Sequence, residues 1–202
     1  QPSLLLDKVR SLLIERVDAQ WIEGVLRAGL GDRPPLRVPL RPAPGLVVHP
    51  WADVVRVDEE IPRDSAELPA HMASTDGSLL LLGEPGSGKT TALLEVAEAL
   101  LERARIDPTA PVPVVLNLAS FGSTRGADLS RWLETELVTR YGLPRPRVRR
   151  WLASDGIIVL LDGLDEVASA RRETCVAAIN AFRTDTPLRT VVTCRARDYE
   201  AL

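Results

Sequence analysis

Lysine is nearly missing from this chain. Of its 25 basic residues only Lys8 and Lys89 are lysines, and arginine fills the rest. A position that keeps lysine against such a background favours a compact ammonium over arginine's broad planar fork. Cysteine is almost as scarce. Cys175 and Cys194 are the whole complement, too few for a disulfide framework or a cysteine-built metal site. A reduced, cytoplasmic setting is therefore expected. Long apolar runs are missing too. Ile157 to Leu161 is typical of the longest, far short of a bilayer span, and no membrane partner is expected. Asp7, Lys8 and Arg10 interrupt the early leucines, which is not the layout of a signal peptide. A net charge of −3 lacks the positive excess that draws a protein to nucleic acid or anionic lipid.

What remains is the composition of an ordinary α/β domain. The 202 residues are 45% hydrophobic and 26% charged, enough for one well-filled core and not for two. The chain begins with Gln and stops just after a strand-like segment, so a fragment of a longer protein is expected.

The most informative stretch surrounds the second lysine. Gly83, Glu84, Pro85, Gly86, Ser87, Gly88, Lys89 and Thr90 match the phosphate-loop pattern G-x-x-x-x-G-K-[ST] at every fixed position. The apolar run Ser78–Leu82 before it reads as a buried strand, and Thr91–Leu101 after it reads as a helix. Strand, glycine turn and helix form the geometry that wraps a triphosphate. Curled backbone N–H groups and the helix N-terminus meet the phosphate oxygens. Lys89 would reach the β- and γ-phosphates, and the Thr90 hydroxyl would ligate Mg²⁺.

Around this loop the elements alternate. Residues 3 to about 29 read as one amphipathic helix with Leu5, Val9, Leu12, Val17, Trp21 and Val25 on its apolar face, stopped by Gly29 and Gly31. It is expected to be either a packing helix or a lever that docks on the nucleotide domain or on a further N-terminal region. Residues 33 to 50 are rich in proline and arginine, with Pro34, Pro35, Pro39, Pro42 and Pro44 excluding regular helix, and suggest an extended linker. Residues 51 to 57 read as a short helix or strand, either covering an adenine ring or merely connecting. Strands are expected at Val112–Leu118, Ile157–Leu161 and Arg189–Thr193. Helices are expected at Asp128–Tyr141, Arg145–Ala153 and Arg171–Phe182. The Asp128–Tyr141 stripe is Leu129, Trp132, Leu133, Leu137 and Tyr141. Such alternation implies a parallel sheet with helices on both faces. Arg145, Arg147, Arg149 and Arg150 form the one basic cluster, which reads as a solvated helix face without the interleaved aromatics of a single-strand binder.

Two further segments complete a site. Ile157–Asp162 is an apolar strand ending in a carboxylate, the form of a Walker B element. Ligands of parallel sheets sit beyond the carboxyl ends of the strands, so Asp162 would face Mg²⁺ through a water. Asp165 and Glu166 follow, either capping a helix or orienting an attacking water. Arg195 ends the last strand, where it could touch a γ-phosphate or form a surface ion pair. Cys194 beside it reads as a small buried residue.

The order GEPGSGKTT, VLLDGLDEV and TCR resembles the NACHT family of STAND-class signalling NTPases, most firmly from Leu79 to Arg195. WIEGVLRAGL and WLETELVTRYGLP resemble bacterial members. The resemblance implies a P-loop NTPase fold, a three-layer αβα sandwich, with an N-terminal segment over residues 1–50 and a NACHT domain over 51–202. It implies that Gly83 to Thr91, Thr91 included, bind phosphates, and that Thr90 and Asp162 hold Mg²⁺. It casts Asp165 and Glu166 as the family's extra acidic pair and Arg195 as its sensor-1 arginine. ADP would be held at rest, ATP would exchange in when a ligand is sensed, and the protein would oligomerise. Hydrolysis, expected to be slow, would reset it. A bacterial antiphage sensor is the implied biology, with the ligand sensed by a region past Leu202. Adenine is favoured on family grounds, since no N-K-x-D motif is present. The family's fifth strand, beside the loop-bearing strand, has no candidate here. Three alternatives remain open: a remodelling AAA+ ATPase, a nucleotide-locked scaffold that does not hydrolyse, and a small-molecule kinase, for which no lid signature is found.

Overall fold

A computed structural model describes residues 2–31, 40, 67–74, 78–123, 128–186 and 188–202. The proline-rich stretch expected as a linker, Leu40 apart, and residues 51–57 lie outside the described residues.

Four strands form one sheet: β1 Leu79–Gly83, β2 Val112–Asn117, β3 Ile157–Asp162 and β4 Thr190–Arg195, in spatial order β1-β4-β3-β2. Every pairing is parallel. The strands are continuous apolar runs rather than alternating ones, because helices cover both faces. Helix α4, Lys89–Ile106, crosses one face and buries Leu93, Leu94, Val96, Ala97, Leu100, Leu101 and Ala104. Helices α5 Leu129–Tyr141, α6 Arg145–Leu152 and α7 Ser169–Asp185 form the second layer. A short α8, Ala196–Glu200, follows β4, and α3, Leu68–Ser74, packs on α4. Five residues expected on the α5 stripe, Leu129, Trp132, Leu133, Leu137 and Tyr141, are all buried. In α6, Arg145 and Arg149 share Glu134 of α5 at 3.1 and 3.0 Å, and Arg147 lies over the Trp151 ring.

The N-terminal segment departs from its expected apolar face. Helix α1 spans Pro2–Val17, continues as a π-helical stretch over Asp18–Arg27, and ends in α2, Ala28–Leu30. Leu5 lies outside the residues whose side chains are described; among those that are, the buried set is Leu13, Ile14, Val17, Ile22 and Leu26, whereas Val25 is 43% exposed. A π turn closes i to i+5 rather than i to i+4, so the step after Val17 falls at Ile22 and not at Trp21. Trp21 sits at the margin and Gly31, at φ +55°, ends the segment.

This segment and Tyr141 seal one edge of the sheet. Among the described residues strand β2 pairs with β3 alone, and both backbone groups of Val115 point away from β3 to Tyr141. The buried Tyr141 hydroxyl donates to the Val115 carbonyl at 2.7 Å and accepts from its N–H at 3.3 Å, and Trp21 Nε1–H donates to it at 2.9 Å. One proton and two lone pairs are thereby fully used. Burial holds the phenol well above its usual range. Arg10 adds hydrogen bonds to the carbonyls of Asp107 and Ala110. Tyr141→Phe strips the buried Val115 groups and the Trp21 indole of their partner. A stability loss of about 1–3 kcal/mol is expected in urea unfolding.

The opposite edge is different. Strand β1 has β4 on one side and, among the described residues, no strand on the other; its five residues are half-buried. That is the edge where the family's fifth strand was expected without a candidate. An unpaired edge of this kind invites association.

Candidate functional site

The strand order lines up four carboxyl ends. Gly83 of β1 stands opposite Arg195 of β4, and Asp162 of β3 opposite Asn117 of β2. Every expected site residue follows directly from one of these ends.

The loop leaves β1 at Gly83 and turns on Gly86 and Gly88, whose φ values are +73° and +86°, a region that L side chains avoid. At Gly83 the demand is for space, since a Cβ there would come within 2.5 Å of Ser87 Oγ. The Ser87 N–H donates to the Glu84 carbonyl at 3.1 Å, closing the turn. Gly88 has no side chain with which to cap α4, so the first amides of that helix stay open to an anion. Lys89 reaches back across the loop, and its Nζ donates to the carbonyls of Gly83 and Glu84, each at 2.9 Å.

The next residue meets the Walker B carboxylate. Thr90 Oγ1 lies 3.0 Å from Asp162 Oδ2 and 3.2 Å from Oδ1. Two hard oxygens therefore converge beside the loop. This donor pair fits Mg²⁺, which takes one or two protein oxygens and fills its octahedron with phosphate oxygens and water.

The acidic pair is divided by its partners. Asp165 accepts from the Arg195 N–H through Oδ1 at 3.1 Å, and its Oδ2 pairs with Arg195 Nε at 2.7 Å. Both of its oxygens are engaged. The Asp165 side chain is 8% exposed and that of Arg195 49%, so the guanidinium keeps a solvent-facing side. Glu166 is exposed, and its Oε2 accepts from Asn117 Nδ2 at 2.8 Å. The Ala119 N–H holds Asn117 Oδ1 at 2.7 Å, which fixes which way that amide points. Gly163, at φ +78°, makes the turn between Asp162 and this pair, and a Cβ on it would press against Glu166.

A family model described as NACHT domain matches residues 78–195, more than half of the chain. The chain belongs to the NACHT family. No curated protein matches it. NACHT domains are nucleoside triphosphatase modules of signalling proteins, and the matched segment runs from the start of β1 to the end of β4. It contains the phosphate loop, Asp162, Asp165, Glu166 and Arg195.

Three residues of this NACHT site were given no role from sequence. Asn117 and Thr193 sit at or near the carboxyl ends of strands, and that position is the signal that could have pointed to them. Arg172 of α7 gave no such signal. It pairs with Asp198 at 2.7 Å and donates to the Asp165 carbonyl at 2.8 Å, tying α7 and α8 to the acidic turn. Cys194 is buried, and burial pushes its thiol up to about 12, so it stays protonated at neutral pH and offers no nucleophile. Among the described residues no helix is long and apolar enough to cross a membrane.

Proposed function

We propose that this NACHT domain binds ATP and ADP with Mg²⁺ and works as a slowly hydrolysing switch in a cytoplasmic signalling protein. The observation that carries the reading is the approach of Thr90 to Asp162 beside a phosphate loop already closed around Lys89. In this reading the backbone of Gly83, Glu84, Pro85, Gly86, Ser87 and Gly88, with an N–H at every position but Pro85, surrounds the phosphates together with Lys89, Thr90 and Thr91. Lys89 exchanges its two carbonyl partners for phosphate oxygens. Thr90 and Asp162 hold Mg²⁺, which when bound would neutralise phosphate charge. Glu166, positioned by Asn117 and open to solvent, orients the attacking water. Arg195, held by Asp165, turns its free side toward the γ-phosphate. Hydrolysis is then in-line attack on a phosphoryl group stabilised by fixed charges.

The switch is a population shift. A triphosphate that gains contacts with Lys89 and Arg195 in one domain arrangement favours that arrangement. Self-association on activation, a ligand sensed by a further region, and a bacterial antiphage role belong to the same proposal. They rest on the NACHT resemblance. So does the division into an N-terminal segment, 1–50, and a nucleotide-binding unit, 51–202.

Calorimetry with ATP and ADP in MgCl₂, followed by single-turnover hydrolysis, tests the core of the reading. Binding of both with slow cleavage of ATP is expected. A folded protein that binds neither nucleotide overturns it. Tight ADP without any cleavage points to the scaffold, and fast turnover stimulated by a substrate points to a remodelling ATPase.

A further inference from the structure

We propose that Thr193 is a positioning residue for the metal-binding carboxylate, and that its hydroxyl sets the magnesium requirement of nucleotide binding. The inference rests on the reading of Thr90 and Asp162 as Mg²⁺ ligands.

Thr193 lies within β4, 1% exposed, next to the end of β3. Its hydroxyl has one proton and two lone pairs. The Gly163 N–H donates into it at 2.8 Å, and it lies 2.6 Å from Asp162 Oδ1. A lone pair committed to Gly163 leaves the proton for Asp162. The hydroxyl is therefore locked as a donor to one carboxylate oxygen. A terminal carboxylate otherwise turns in a broad, two-fold well. With Oδ1 pinned from the sheet side, Oδ2 is the oxygen nearer to Thr90, at 3.0 Å.

The same hydroxyl also holds the peptide that starts the acidic turn. Gly163 is the left-handed residue after Asp162, and its N–H finds its acceptor in Thr193. One side chain of β4 thus fixes both the ligand and the first step toward Asp165 and Glu166. Two residues on, Arg195 grips that turn a second time through Asp165.

Packing alone would not require this hydroxyl. Val191 and Val192 occupy the preceding positions of the same strand, and valine fills the shape of threonine. Outer partners of metal ligands set orientation and basicity, and their loss typically costs about 10–100-fold in metal affinity.

The test titrates wild type, Thr193→Val and Thr193→Ser with adenylyl-imidodiphosphate by calorimetry, across a series of MgCl₂ concentrations and in EDTA. Thr193→Val is expected to need about 10–100-fold more Mg²⁺ for half-maximal tightening, with nucleotide affinity in EDTA unchanged. Thr193→Ser keeps the hydroxyl and is expected to follow wild type. Thr193→Ala, measured alongside, removes the same hydroxyl with less bulk beside Asp162 and decides the matter if the valine variant does not fold. An unchanged magnesium requirement in folded Thr193→Val or Thr193→Ala overturns the inference. So does a serine variant as impaired as valine, which would assign the effect to shape. Wild-type binding indifferent to magnesium would instead bring down the reading of Thr90 and Asp162, and this inference with it.

Discussion

Lys89→Ala is expected to abolish nucleotide binding in calorimetry while the protein keeps its fold. The ammonium is the only lysine charge in the matched NACHT segment, and it is already placed within the loop, 2.9 Å from two carbonyl oxygens. Moving those two bonds to phosphate oxygens puts charge on the acceptor as well as on the donor, each contributing roughly 1.5–3 kcal/mol. Losing both amounts to about 3–6 kcal/mol, or roughly 10²- to 10⁴-fold in affinity. Lys89→Arg is expected to fail as well, because a planar fork cannot sit where a compact group bridges Gly83 and Glu84. Thermal melting separates this loss from unfolding. Near-normal ATP affinity in a folded Lys89→Ala protein would contradict the site.

Glu166→Gln gives the second large effect, on chemistry rather than binding. Glutamine keeps an oxygen for Asn117 Nδ2, so the local geometry survives, but it removes the negative charge proposed to orient the attacking water. A fall of about 10²–10⁴-fold in the single-turnover rate is expected, with ATP affinity near wild type. Asp165→Asn should behave differently. It weakens the grip on Arg195, whose Nε lies 2.7 Å from Asp165 Oδ2, and so lowers the preference for ATP over ADP. If Glu166→Gln cleaves ATP at the wild-type rate, the water-orienting role passes to Asp165.

Much of this arrangement was legible in the sequence because its signals are local. The phosphate loop follows from consecutive residues, and the strand ending in Asp162 from an unbroken apolar run. The helix over Leu129–Tyr141 showed itself by spacing alone, and all five of its expected core residues are buried. The N-terminal helix misled for a physical reason. Its apolar face was read at the α-helical period, and a π stretch from Asp18 shifts that face toward Ile22 and Leu26. Partnerships across the sheet were not legible. Nothing near Asp165 in sequence announces Arg195, and nothing near Asn117 announces Glu166. Those contacts exist because the order β1-β4-β3-β2 brings distant strand ends into one row. Tyr141 was expected only as an apolar stripe residue, and its sealing of the β2 edge depends on a hydroxyl that periodicity does not weigh.

The row of strand ends limits how this domain can respond to nucleotide. Gly83, Arg195, Asp162 and Asn117 begin from neighbouring strands of one hydrogen-bonded sheet, and a register slip of one residue would turn every side chain to the wrong face. The chassis is therefore stiff, and none of its four corners can travel alone. In the proposed reading, a difference between diphosphate and triphosphate is expressed by the long side chains hinged on that chassis, Lys89, Glu166 and Arg195. Arg172 clasps both the acidic turn and α8, so that turn is tied to the rim of the sheet as well as to Arg195.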